Sequence, residues 1–403
     1  MFEIEEVTGP IAKIKVMGVG GGGCNAVNSM ADANIFGVEL IAVNTDKQHL
    51  DFTQAHMKVQ IGETLTKGLG AGGDPEIGMS AVVESSDALM ASIEGSDMLF
   101  ITAGMGGGTG SGACPVIAGI AKDMNILTVG VVTTPFFYEG KDKAFIASTA
   151  ITDLRKRADA VIVISNDKLI DLIDKDTHYE KAFLTVDNVL RQAVQGITDI
   201  VLIPGKMNID FADLKAILSD AGKTVIGMGH AKGDGAVISA IKKAISNPLF
   251  DMSIEGARAA ILNITGDLSL SFKSIHEVTS MLYDLTDERI KLKLGLVKNE
   301  DMRDEVSVTI VATGFEAKPE KAVLPDVPIW SPRVPVKQGR ETQRILSKEL
   351  PPSLEPQPIK KIVNIVEKKE QVEPPEIIAP EKQAIKFSDQ EDLYDVPTFL
   401  RKK

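Results

Sequence analysis

Hydrophobic positions in the first 165 residues fall into short β-branched runs rather than amphipathic stripes. The runs are AKIKVMGV (12–19), VELIAVN (38–44), MLFITAG (98–104), ILTVGVVT (126–133) and AVIVIS (160–165), each leading into or ending on Gly, Asn, Thr or Ser. Continuous apolar runs of this length predict strands buried on both faces. Helix-sized intervals separate most of them, the βαβ rhythm of a parallel sheet covered on both sides. From Thr185 the pattern TVDNVLRQAVQGITDIVLI repeats at helical spacing and predicts one long helix. Three further strands, KTVIGMG (223–229), RAAILNIT (258–265) and VSVTIVAT (306–313), alternate with single helical patterns and predict a second, smaller α/β domain.

Composition changes near Glu316. Thirteen of the nineteen prolines lie in 317–403, but only Gly339 of the thirty-five glycines. Stretches such as ELPPSLEPQP and EKKEQVEPPE have no apolar periodicity and cannot bury enough surface to offset the entropy of ordering. The expected organisation is therefore a flexible segment at 1–10, a first α/β domain at 11–182, a connecting helix at 183–205 and a second α/β domain at 206–316. A disordered linker at 317–388 and a short terminal peptide at 389–403 complete the chain.

Charge and cysteine content exclude several classes. A formal net charge of −12 argues against a nucleic-acid coat or a basic membrane-binding face. The tail is locally +2, so residues 1–316 carry −14. Cys24 and Cys114 form no CxxC and no His/Cys cluster, which argues against a disulfide framework or structural zinc. The start, MFEIEEVTGP, is acidic where a signal peptide would be basic, so a cytoplasmic location is expected. Met98 to Ala121 lacks any charge over 24 residues, but seven glycines and Pro115 break it into a strand, a loop and a helix start rather than a membrane span.

The candidate chemistry is concentrated in glycine. Gly18, Gly20 and Gly23 satisfy G-x-G-x-x-G between a predicted strand and the helix-like NAVNSMADAN, and Asp46 lies where a ribose-binding acid would be expected. By itself this Rossmann-like fingerprint fits an NAD(P)-dependent oxidoreductase. A second run, Gly104-Met105-Gly106-Gly107-Gly108-Thr109-Gly110-Ser111-Gly112, stands between MLFITAG and the helix-like ACPVIAGIAK, with Thr109 and Ser111 as further hydroxyl donors. Two anion nests at adjacent strand ends suit a run of several phosphates. No Walker A motif competes, because Gly222-Lys223-Thr224 has Ile217 where the first glycine should be.

GVGGGGCNAVN, AVNTD, GLGAGGDPEIG, AGMGGGTGSG, PFFYEG and NIDFADL, in that order, resemble the tubulin/FtsZ family of bacterial cell-division GTPases. The resemblance runs from about Ile11 to Gly314, with a second block at Asp395–Arg401. It implies a Rossmann-like GTPase domain, a long connecting helix and a smaller α/β domain, and GTP or GDP as ligand. Gly21, Gly22, Gly23, Cys24 and Asn25 would line the α- and β-phosphates, and Gly108, Thr109 and Gly110 the β/γ side. Ala71-Gly72-Gly73 is similar to the family's loop that senses the γ-phosphate, Glu139 and Lys143 would hold the ribose and phosphate region, and Asn166, Phe183 and Asp187 would recognise guanine. Phe183 and Asp187 are i,i+4 and can share a helical face, so a ring can stack on the base while a carboxylate accepts from its N1–H and 2-amino group.

Departures from the family pattern are small: Lys143 replaces a usual arginine, and Cys24 a usual small residue whose thiol here is a candidate for oxidation. Mg²⁺ is expected to be held mainly by nucleotide and water. Asn208, Asp210 and Asp213 read locally as a helix start with an N-cap and a first-turn acid. The resemblance instead makes them catalytic, acting on GTP bound by the neighbouring subunit of a head-to-tail homopolymer at the mid-cell division ring. A tubulin-like scaffold with weak hydrolysis is the alternative within the family. Asp395, Val396, Pro397, Phe399, Leu400 and Arg401 are similar to the family's peptide for adaptors of the FtsA, ZipA or SepF type, so the membrane would be reached only indirectly and nucleic acid not at all. A 72-residue linker would reach roughly 50 Å as a flexible coil.

Overall fold

The predicted strands pair into one sheet, in an order that sets two glycine runs side by side. The structure, a computed structural model, describes residues 12–315 except 171–177, 204, 247–253, 268–270, 287–289 and 300–301. The expected flexible segment, linker and terminal peptide lie outside the described residues.

In chain order the elements are β1 (Ile14–Val19), α1 (Gly20–Asp32), β2 (Val38–Asn44), α2 (Lys47–Phe52), β3 (Met57–Gln60), α3 (Glu63–Thr66), α4 (Pro75–Glu84) and α5 (Ser86–Ile93). There follow β4 (Met98–Gly104), α6 (Gly108–Asp123), β5 (Leu127–Thr134), a 3-10 turn at Phe137–Glu139, α7 (Lys141–Arg157), β6 (Ala160–Ser165) and α8 (Asn166–Ile170). The remainder is α9 (Tyr179–Leu202), α10 (Phe211–Leu218), β7 (Gly222–Lys232), α11 (Ala236–Ile245), β8 (Ala259–Gly266), α12 (Phe272–Leu285), β9 (Lys291–Lys298) and β10 (Glu305–Thr313).

The sheet order is β3-β2-β1-β4-β5-β6-β7-β10-β8-β9. From β3 to β7 every pairing is parallel; β10 then runs antiparallel to both β7 and β8, and β9 is parallel to β8. Ala160↔Gly222 and its two successors join β6 to β7, so the strands expected for two domains share one sheet.

Alternation along the strands explains the two-faced core. Val16, Phe100 and Val129 point into one cluster under α1 and α9, while Met17, Leu99 and Ile101 point into another under the helices of the opposite face. A third cluster fills the space between β7, β8, β10, α11 and α12. Helix α9 buries Val186, Val189, Leu190, Ala193, Val194 and Ile197 on a single stripe. Its 24 residues reach about 36 Å, from the C-terminal edge of the parallel strands to the far side of the sheet. It begins four residues before the predicted Phe183.

Both glycine runs differ from the sequence expectation in one respect. Gly20–Gly23 is not a loop before α1 but its first turn, directly after β1, and Gly108–Gly112 opens α6 rather than preceding it. The uncharged Met98–Ala121 stretch is β4 followed by most of α6, and among the described residues no helix is long and apolar enough to cross a membrane. Gly222-Lys223-Thr224 is the start of a strand.

Candidate functional site

Strands β1 and β4 are neighbours, so α1 and α6 begin beside one another at the same sheet edge. Gly20 has φ +70, and a Cβ there would lie 3.0 Å from the Gly110 N and 3.3 Å from the Thr109 Cβ. A Cβ on Gly23 would collide with the Thr102 carbonyl oxygen. Glycine at these positions lets the two helix starts and β4 close on each other. Neither helix has a side-chain N-cap or an acidic first turn. By contrast, Asp46, Asp74, Asp210 and Ser271 cap α2, α4, α10 and α12. The amide N–H groups and positive dipole ends of α1 and α6 are therefore left for an external anion.

The neighbouring segments complete this cradle. Ala71-Gly72-Gly73 turns through left-handed backbone, φ +59 and +84 at the two glycines, into the Asp74 cap of α4. It abuts the start of α6 so closely that a Cβ on Gly108 would stand 2.7 Å from the Asp74 N and 2.9 Å from the Ala71 Cβ. The Thr109 hydroxyl lies 2.7 Å from that of Thr45. The buried Ser111 hydroxyl accepts from the Gly106 N–H at 2.8 Å and so braces the loop.

Asp46 corrects its expectation as a ribose acid. Its carboxylate accepts from the His49 N–H at 3.1 Å as the N-cap of α2, a structural role at the position where an NAD(P) site would place its ribose acid. Cys24 is fully buried among Ala42 and Leu50, and burial pushes its thiol up to about 11. It can offer its backbone N–H to a phosphate, but its thiol is not the oxidisable group expected.

A cavity of about 840 Å³ opens between α1 and α9, lined by Asn25, Asn28, Asp32, Phe183, Asp187 and Arg191 among others. The Asn25 side-chain oxygen lies 3.1 Å from the His49 Nε2. Phe183 is half-exposed and meets the Phe136 ring edge-on, 5.9 Å between centroids. Asp187 has its carboxyl pushed up to about 6 by burial. The buried Asn166 heads α8, and its Oδ1 has no hydrogen-bond partner, an acceptor waiting for a donor. Around it, Phe137 N–H donates to the Asp167 carboxylate at 2.7 Å and Phe136 N–H to Glu139 at 2.9 Å. Lys143 pairs with Glu139 at 3.0 Å, and its backbone lies against Gly106.

Asn208, Asp210 and Asp213 stand elsewhere, past the end of α9. The Asn208 side-chain oxygen accepts from the Gly205 N–H, Asp210 caps α10 by accepting from the Asp213 N–H at 2.6 Å, and Asp213 pairs with Lys293 at 2.7 Å. Lys293 belongs to a strand absent from the sequence reading. Thr45 and Arg191 were not singled out either, although Arg191 follows Phe183 and Asp187 at the same four-residue spacing and was legible by that rule. Among the described residues no group of three or more His, Cys, Asp or Glu could hold a metal. The donor set of the glycine cradle is backbone N–H, which suits phosphate oxygens and not a cation.

Residues 13–174 match the GTPase domain of the tubulin/FtsZ family, and residues 222–316 the C-terminal domain of the FtsZ family. Among solved structures, an empty FtsZ dimer from M. jannaschii is 38% identical, with a TM-score of 0.71 over 76% of this chain and 89% of that one. CetZ2 from Haloferax volcanii, solved as a GTPγS-bound protofilament, shares the fold at 22% identity and a TM-score of 0.67, over 76% of this chain and 94% of its own. CetZ1 from the same organism, a GDP-bound monomer, gives the same identity and TM-score over 76% and 96%.

Proposed function

The chain belongs to the tubulin/FtsZ family of GTP-binding GTPases, and from that premise we propose that it hydrolyses GTP at the joint between head-to-tail subunits of a division-ring filament. One observation carries the proposal. Phe183 and Asp187 lie in the first part of α9, and the loop with Asn208, Asp210 and Asp213 follows its far end. About 22–29 Å of helix separates the two stations, which keeps a subunit's own loop away from its own nucleotide. A loop and a pocket that must meet across two copies define a heterologous contact, which propagates into a filament instead of closing.

In this mechanism the uncapped starts of α1 and α6 bind the phosphates, Asn166 and Asp187 read the guanine edge, and the neighbour's Asp210 and Asp213 orient a water toward the γ-phosphate. Mg²⁺, when bound, would be held mainly by nucleotide and water and would offset phosphate charge. Catalysis is positioning and electrostatics, as phosphoryl transfer requires. Asp395–Arg401, outside the described residues, would tether the filament to a membrane-bound adaptor at mid-cell.

The test is specific GTPase activity against protein concentration. It should be near zero below a threshold and rise as subunits associate. Activity strictly proportional to concentration from the lowest dose would mean that a single subunit holds the whole site.

A further inference from the structure

The loop before α10 is fastened to β9. Lys206 N–H donates to the Leu296 carbonyl at 2.9 Å, and Leu296 N–H returns a bond of 2.9 Å to the Met207 carbonyl. Ile209 packs over Gly295, where a Cβ would lie 3.1 Å from the isoleucine Cδ1. Lys293, on the same strand face as Gly295, reaches the Asp213 Oδ1 at 2.7 Å. The Lys293 ammonium is held above its usual pKa, first by the hydrogen bond to Asp213 and then by the charges of Asp213 and Asp210.

Stability gives little reason for this pair. Both partners keep contact with solvent, with side-chain exposures of 47% and 33%, and half-exposed ion pairs contribute little to folding. Asp213 already sits in the first turn of α10, where the helix dipole favours a carboxylate without help. The hydrolytic task does need a cation here. Asp210 and Asp213 must approach the polyanionic end of a neighbour's GTP, and two carboxylates would repel it. The glycine runs themselves contain no lysine or arginine, and Lys143, expected near the phosphates, is already paired with Glu139 at 3.0 Å.

We infer that Lys293 is a positioning residue for hydrolysis at the subunit joint. It ties Asp213 Oδ1, leaves Oδ2 as the oxygen offered to the attacking water, and lowers the repulsion between the loop and the neighbour's γ-phosphate. The inference rests on the proposal that this loop acts on the neighbour's nucleotide. It deepens that proposal by assigning part of the site to the edge strand β9.

The experiment uses the full-length chain with Lys293→Met, which keeps an unbranched apolar side chain, and Lys293→Arg. GTP binding by dilute monomer should be unchanged in both, because the lysine lies outside its own subunit's pocket. Turnover per sedimented subunit should fall by about fivefold in the methionine variant, the upper end for such a pair. It should also lose part of its salt dependence, and arginine should restore most of the rate. In an Asp213→Asn background the methionine change should add no further loss, since the lysine acts through that carboxylate. A methionine variant that turns over as fast as wild type, or faster, per polymerised subunit overturns the inference. If Asp213→Ala abolishes hydrolysis while Lys293→Met leaves turnover per polymerised subunit unchanged, this inference alone fails. If neither substitution slows hydrolysis, the loop's role at the joint fails with it.

Discussion

Asp210 accepts a hydrogen bond from the backbone N–H of Asp213 at 2.6 Å, so a carboxylate proposed to orient water also caps the helix that carries its partner. The structural reading of NIDFADL is thus realised in the same carboxylate that the proposed catalytic role would use. The two roles can be separated, because asparagine caps a helix about as well as aspartate whereas alanine does not. Asp210→Asn should keep a melting temperature near wild type and still lose most GTPase activity. Asp210→Ala should lose activity and in addition about 1 kcal/mol of stability. Thermal melts beside turnover assays decide it. An asparagine variant with full turnover would reduce Asp210 to a cap.

Asp213→Ala tests whether the site is shared. Its own pocket is untouched, so it should bind GTP normally and join filaments, yet fail to hydrolyse the nucleotide of the subunit it contacts. Mixed with Asp187→Ala, whose loop is intact and whose pocket is impaired, it should give more activity than the two proteins show separately, since one supplies the pocket and the other the loop. A mixture no more active than the sum of its parts would show that subunits hydrolyse independently.

Most of the fold was legible because its central strands are buried on both faces and read as unbroken apolar runs. The two strands that escaped, β3 and β9, are the two edges of the sheet. MKVQ has one buried residue in four, and KLKLGLVK alternates lysines with apolar residues. Charge on edges discourages pairing with other chains, and the same charge hides them from a hydrophobicity pattern. Missing β9 meant missing Lys293, so the lost part of the site follows from the lost strand. The glycine runs were legible as candidate anion sites at helix N-termini, but not as the first turns of those helices, because glycine is a poor helix former. Asp46 shows the opposite error: spacing alone offered a ribose ligand, and the local geometry made it a cap.

Asp187 gives a prediction in which stability and binding move in opposite directions. Burial raises its carboxyl from 3.8 to about 6 with no compensating partner. Between those values the folded protein holds a proton that the unfolded chain has released, so its contribution to stability falls as pH rises from about 4 to 6. Above pH 6 the buried charge is present and uncompensated in the empty protein. Guanine supplies what burial withholds, because its N1–H and 2-amino group can donate to the carboxylate. Nucleotide binding should therefore be linked to loss of that proton, and GDP affinity should weaken as pH falls from 7 to 5. Nucleotide phosphates titrate in the same range, so the informative quantity is the difference between wild type and Asp187→Asn. The variant should show the shallower pH profile. At pH 7 it should bind GDP more weakly by about 1.5–3 kcal/mol, the range for a hydrogen bond to a charged group. In the absence of nucleotide it should melt higher than wild type at pH 7, by about 1 kcal/mol once solvent screening of a partly exposed carboxylate is allowed for. Calorimetric titration and thermal melts on the same preparations measure both. A variant that melts lower and binds GDP as wild type does would place Asp187 in the architecture of α9, with no part in reading the base.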